Sequence, residues 1–216
     1  MPVDYKKTEK ALYQPKATPS IIDVPEMVFI MVDGTGNPNT SVDYQSAVEI
    51  LYGLSYAIKM SKMAGNQPVG YFDYVVPPLE GLWWLSDGSE EWYKDKGKYC
   101  WTSMIRQPEF VDAAAFEAAK ASLAKKKPLL DASRARLEKF TEGLCVQAMH
   151  MGSYDDEQQT NSAIMEFINA HGYVSDISEA CQPGSDRRHH EIYLNDPRKT
   201  ALDKLKTVIR HPVIKH

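Results

Sequence analysis

Near the end of the chain, His189-His190-Glu191-Ile192-Tyr193-Leu194 packs two imidazoles, a carboxylate and a phenol into one short run. The regular placing of Ile192 and Leu194 predicts a strand, and alternate side chains of a strand face opposite sides. His190, Ile192 and Leu194 then share one face, and His189, Glu191 and Tyr193 share the other. Assigning Ile192 and Leu194 to the helices turns Glu191 and Tyr193 into a groove. A carboxylate on such an inner face loses hydration and holds a proton more readily. It can serve as a general base or hold a cationic ligand. The bland alternative pairs Glu191 with Arg187 or Arg188 at a sheet edge, and this stretch alone leaves both open.

A partial counterpart lies upstream in Glu80-Gly81-Leu82-Trp83-Trp84. Adjacent tryptophans on a strand diverge, so at most one of Trp83 and Trp84 lines the groove. Flat aromatics around a carboxylate form a cage for planar, hydrophobic or cationic molecules. With 4 Trp, 12 Tyr and 6 Phe, the chain has enough rings for such a cage. Tyr52, Tyr56, Tyr71, Tyr74, Trp101 and Tyr154 are candidate walls, with Glu80 and Met149 as further lining. Each ring taken alone reads as readily as core.

Other chemistries find little support. Adjacent His189 and His190 diverge on a strand, and neither HExxH nor histidines at helical spacing occur, so no metal site is expected. Asp33-Gly34-Thr35-Gly36 lacks both GxxxxGK[ST] and GxGxxG and reads as a turn. With no Gly-x-Ser-x-Gly elbow and no cysteine in a nucleophile context, activated water remains. No cofactor is expected.

The elements that must position these residues follow from the pattern. Residues 1–20, with Pro15 and Pro19, read as an arm laid over the domain. Glu26 to Val32 is an apolar strand ended by turn formers. Ser41 to Met63 is helical, with Ala47, Leu51, Leu54 and Ile58 on one face. Strand follows at Val69 to Val76 and again at Leu79 to Leu85. Ser86 to Lys98, which carries Trp92 and Tyr93, reads as a surface loop or hairpin. Tyr99 to Arg106 is a strand, and a helix at 108–126 has its charges arranged to suit the helix dipole. Leu144 to Met151 is a strand, Thr160 to His171 a helix, His189 to Leu194 a last strand, and Thr200 to Lys206 a short terminal helix.

Strand–turn–helix–strand thus occurs twice. The expected fold is α+β, a tandem pseudo-symmetric repeat of strand–helix–strand–strand units. These would form a concave antiparallel sheet groove with helices packed behind. Residues 21–216 would be one domain of two repeats, about 21–106 and 140–196, joined by the helix at 108–126.

Composition bounds the rest. Lys and Arg number 25 against 29 Asp and Glu, and a net charge of −4 gives no field for a nucleic-acid backbone. An apolar content of 43% supports a real core. Cys100, Cys145 and Cys181 read as reduced thiols. No apolar run approaches membrane-spanning length and no signal peptide opens the chain, so a soluble, cytoplasmic protein is expected.

Four stretches carry a family likeness: PLEGLWW (Pro78 to Trp84), WTSMIRQPEFV (Trp101 to Val111), EGLCVQAMHMGSYDDE (Glu142 to Glu157) and HHEIYLNDPRKTALDKLKTVIRHPV (His189 to Val213). On these the sequence resembles the stand-alone members of the GyrI-like small-molecule-binding family. The resemblance implies the tandem α+β fold, shared with effector domains of MerR- and AraC-type multidrug regulators. It also implies a glutamate in an aromatic pocket, matched by Glu191. One subgroup hydrolyses cyclopropane-bearing DNA-alkylating natural products. Members often carry proline where this chain has Ser153 and Gln158. A helix-turn-helix module is not expected before the first strand. The function expected is binding of planar hydrophobic or cationic molecules, with hydrolysis of reactive xenobiotics by water that Glu191 activates and Tyr193 assisting. The alternative is a drug-sequestering or effector-binding protein without turnover.

Overall fold

Two long strands organise the sheet of this computed structural model, which describes residues 1–87, 95–178 and 187–215. β1 (Ser20–Thr35) and β4 (Arg136–Met151) run antiparallel, with Ile22 opposite Cys145 and Phe29 opposite Glu138. β2 (Leu79–Leu85), β3 (Tyr99–Gln107), β6 (His189–Tyr193) and β7 (Lys206–Lys215) complete the order β4-β1-β3-β2-β6-β7. A further pairing of β4 with β7 closes the ring. A short β5 (Tyr173–Ser175) pairs with the far end of β7. The result is an α+β fold around a six-strand antiparallel, barrel-like sheet. Trp92, Tyr93 and Cys181 of the sequence reading lie outside the described residues.

Alternation sorts the strands' side chains onto an inner and an outer face. Phe29, Met31, Leu82, Met104, Phe140, Cys145, Ile192 and Val208 form the inner core. The N-terminal segment joins them. The short helices α1 (Tyr5–Thr8) and α2 (Lys10–Tyr13) supply Tyr5, Leu12 and Tyr13 to that core. Residues 1–20 therefore do more than lie over the domain. Arg106 binds both oxygens of Glu9 (2.6 and 3.0 Å), while Gln147 and Arg210 donate to the carbonyls of Ala11 and Leu12 (2.7 and 2.8 Å).

Outside the ring, helices cover the sheet. α3 (Val42–Lys59) and α4 (Ala113–Lys126) pack on Ile30, Val32, Trp83, Trp101 and Ile105. α5 (Gln158–Ala170) lays Ile164 and Ile168 on Val146, Ala148 and Ile209. Gly34 is needed beneath α3, because a Cβ there would lie 2.2 Å from the Trp101 ring.

Several expectations change. Ile192 faces the inner core and not the helices, which stand on the same outer face as Tyr193. Among the described residues the strands join in one sheet that the β4–β7 pairing closes. Val69 to Val76 holds only a bridge from Tyr74 to Val3. The expected terminal helix is a single turn at Leu202–Lys204, followed by β7. Polar Arg210 and His211 and the imino acid Pro212 hide the β-character of that strand in a sequence reading.

Candidate active site

A cleft opens on the outer face of the sheet, between α3 and α5 and above β2 and β6, with a volume of about 2410 Å³. Helical period builds both walls. Tyr44, Val48, Tyr52 and Tyr56 recur every fourth residue along α3, and Asn161, Met165 and Asn169 do so along α5. The start of α3 is held by Ser41, whose hydroxyl accepts from the Tyr44 amide at 3.2 Å.

The floor comes from strand pairing. β2 and β6 place Trp83 opposite His189, Gly81 opposite Glu191 and Leu79 opposite Tyr193. Glycine at position 81 is required by its neighbours: a Cβ there would sit 2.6 Å from the Trp83 indole nitrogen and 3.3 Å from the Tyr193 oxygen. The space it leaves admits a directed chain of hydrogen bonds. Trp83 Nε1 donates to the Tyr193 oxygen (2.9 Å), and Tyr193 donates to Glu191 Oε2 (2.7 Å). His189 Nε2 bonds the other oxygen, Oε1, at 3.0 Å. Behind it, His189 Nδ1 meets His211 Nε2 at 2.8 Å. An ionised carboxylate only accepts. His189 therefore carries hydrogen on Nε2, and in its neutral form accepts from His211.

These bonds set the charge. Burial alone would raise the Glu191 pKa, but the His189 and Tyr193 hydrogen bonds overcome it and hold the group below the ordinary carboxylate value. Burial beside His189 lowers His211 to about 3, so that ring is neutral. Tyr193 is pushed well above the usual phenol value by burial and by the Glu191 charge. Glu191 keeps 14% of its side-chain surface, toward the cleft.

A second carboxylate stands beside it. Glu157 begins α5, after a turn at Tyr154–Asp156 in which the Ser153 hydroxyl accepts from the Asp155 amide. His150 braces that turn through Thr160 and the Ser153 carbonyl, both at 3.0 Å. Tyr154 stands edge-on to Tyr193 with ring centres 5.5 Å apart. Glu157 is 93% buried, and its Oε1 has no hydrogen-bond partner. Burial, then the Glu191 charge, raises its pKa well above the ordinary value.

Among the described residues, Glu157, His189 and Glu191 bring one ligand-type atom each within 4.8 Å of one another. That spacing would suit a metal ion. Both Glu191 oxygens already accept hydrogen bonds, and an ion would have to displace the His189 hydrogen.

The sequence candidates divide clearly. Glu191, Tyr193, Trp83, Tyr52, Tyr56 and Tyr154 line the cleft. Trp84 lines it away from the carboxylates, its ring beneath the Arg188 guanidinium at 4.3 Å. Glu80 does not line it; strand alternation turns it into the barrel, where His190 Nε2 meets it at 3.1 Å. Met149 packs on the inner core. Trp101 is fully buried beneath α3, edge-on to Tyr44. Tyr74 and Tyr71 cluster with Phe72 and Phe110 away from the cleft. Arg187 pairs with Asp176, and Arg188 lies over the Trp84 ring. Sequence reasoning missed Glu157, Tyr44 and His211. Tyr44 was legible from its fourfold spacing to Tyr52, whereas Glu157 looked like an ordinary acidic helix start.

A GyrI-like small-molecule-binding domain model matches residues 17–214. The chain belongs to that family. Two solved structures from Listeria innocua are similar to this GyrI-like domain along their whole length. One, a hydrolase, is 45% identical with a TM-score of 0.86; the other, an uncharacterised conserved protein, is 47% identical with a TM-score of 0.89. Each comparison covers 98% of this chain and 100% of the other. The EcmrR C-terminal domain, at 13% identity and a TM-score of 0.52 over 92% of this chain and 98% of its own, shares the fold alone. A comparison with curated proteins gave no match.

Proposed function

We propose that this GyrI-like domain binds planar, hydrophobic or cationic small molecules in the cleft and hydrolyses reactive electrophiles among them. The observation that carries this reading is the Glu191 carboxylate facing the cleft, held by hydrogen bonds from His189 and Tyr193 beneath aromatic walls. A flat electrophile stacks against Trp83 and the tyrosines of α3. A water bonded to Glu191 attacks it, and a carbon–oxygen bond forms as the strained carbon–carbon bond breaks. The released electron pair passes to the conjugated oxygen of the electrophile. Glu191 takes the water's proton and returns it to that oxygen or to solvent. Strained cyclopropane-bearing alkylating agents are the substrates to which the family resemblance points, and the similar Listeria hydrolase agrees with the reaction class. Tyr193 directs its hydroxyl at Glu191, so its part is to orient the base.

Glu191→Gln tests the reading. Loss of a general base lowers turnover about 10²–10⁴-fold while binding of a neutral ligand survives. Product formation by the variant at the wild-type rate, followed by mass spectrometry, removes Glu191 from that role. Stoichiometric binding without product from either protein favours a sequestering protein, for which the same buried negative charge is the attraction.

A further inference from the structure

The second carboxylate has no part in the reaction just described. Glu157 reaches the Glu191 carboxylate and the His189 ring within 4.8 Å, inside the cleft wall. Among the described residues, the charged and titratable groups around the pair are few. From β6 come His189 and Tyr193, from β7 His211, from α3 Tyr44, and from β3 Tyr99. The turn before α5 adds Tyr154 and Asp155, and Asp196 lies beyond Tyr154. Among the described residues Lys96 is the nearby lysine, and it is engaged with Asp155. Two carboxylates this close do not both ionise readily in a partly dry site.

We propose that Glu157 and Glu191 together hold one proton in the free protein, and that a cationic ligand entering the cleft expels it. The pair then presents one negative charge to a neutral molecule and two to a cation. Burial and the Glu191 charge raise Glu157, while the His189 and Tyr193 hydrogen bonds keep Glu191 low, which assigns the departing proton to Glu157. No bond other than the O–H of Glu157 breaks, and the proton passes to solvent or buffer. The cleft is thereby a proton-exchanging cation site, whose preference for cations over neutral isosteres strengthens as pH rises. This rests on the cleft being the ligand site.

N-methylacridinium and neutral acridine provide the probes, titrated calorimetrically near neutral pH in buffers of different ionisation enthalpy. The cation releases close to one proton and its affinity rises about tenfold per pH unit below the pair's second ionisation. Acridine releases none. Glu157→Gln keeps cation binding, through Glu191, but loses both the proton release and the pH slope. An infrared carboxylic-acid band in the wild type, bleached by the cation and absent from the variant, reads the same proton without relying on the variant's fold. Cation binding with buffer-independent heat and an unbleached band overturns this inference alone. Failure of both probes to bind overturns the ligand-site reading and takes the inference with it.

Discussion

Glu191 is made useful by its hydrogen-bond donors more than by its own burial. The phenol of Tyr193 helps to lower its pKa, so Tyr193→Phe moves that pKa upward. The acid limb of a kcat/KM–pH profile is then expected at higher pH in the variant. A profile superimposable on the wild type would show that the phenol does not tune the base. Gly81 matters for a steric reason. Gly81→Ala drives a methyl group into the Trp83 indole and is expected to cost about 1–3 kcal/mol in denaturant unfolding. It should also disturb tryptophan fluorescence, because the Trp83 nitrogen loses its place on Tyr193.

Among the elements, the inner face of the strands carries a charge network that no surface pattern announces. His190 on β6 is fully buried between Glu80 of β2 and Glu142 of β4, with Arg210 of β7 on Glu142 at 3.1 Å. Burial alone would lower the His190 pKa, but the two glutamates raise it to about 9. Burial would raise that of Glu142, but His190 and Arg210 bring it down to about 2. The raised histidine binds its proton more tightly folded than unfolded. Its stabilisation is complete below the unfolded value of 6.5 and is lost as pH climbs through about 9. For Glu142 the stabilisation is complete above 4.5 and is lost as pH falls toward about 2. Urea midpoints are expected to decline on both flanks. Glu142→Gln leaves buried Arg210 without its counter-charge and His190 with Glu80 alone, and is expected to cost about 3–5 kcal/mol, removing most of the acid flank. An unchanged midpoint would mean that the network contributes nothing net.

For the whole molecule, the closed ring provides a rigid floor while α3 and α5 stand apart above it. Among the described residues no helix is long and apolar enough to cross a membrane. A ligand that binds only the folded form stabilises it by mass action, about 2.7 kcal/mol at a hundredfold excess over Kd. A bound planar cation is expected to raise the melting temperature by roughly 5–10 °C in a chain of this size. Glu191→Gln should lose most of that increment for cations and little of it for neutral ligands.

Local pattern made the elements around the cleft legible. The alternation in His189 to Tyr193 put Glu191 and Tyr193 on a common face, and the helical period put Leu51 and Leu54 in the core. The side of the sheet on which the helices stand was not legible, because Ile192 is equally apolar against a helix or inside a barrel. Closing β4 onto β7 decided it, and the same closure hid Arg210 and Glu142 in positions that look solvent-facing in one dimension. Glu157 and Glu191 are neighbours only because the turn braced by Ser153 and His150 aims the start of α5 at β6.

Sequence by itself determined the α+β class, the family, the late-strand carboxylate and its supply of aromatic partners, since these depend on short-range period and residue type. Tertiary structure decided which rings reach that carboxylate, that Glu80 belongs to the barrel interior, and that a second glutamate faces the first. Those outcomes depend on distances between segments far apart in the chain, and side-chain spacing along one strand or helix carries no information about them.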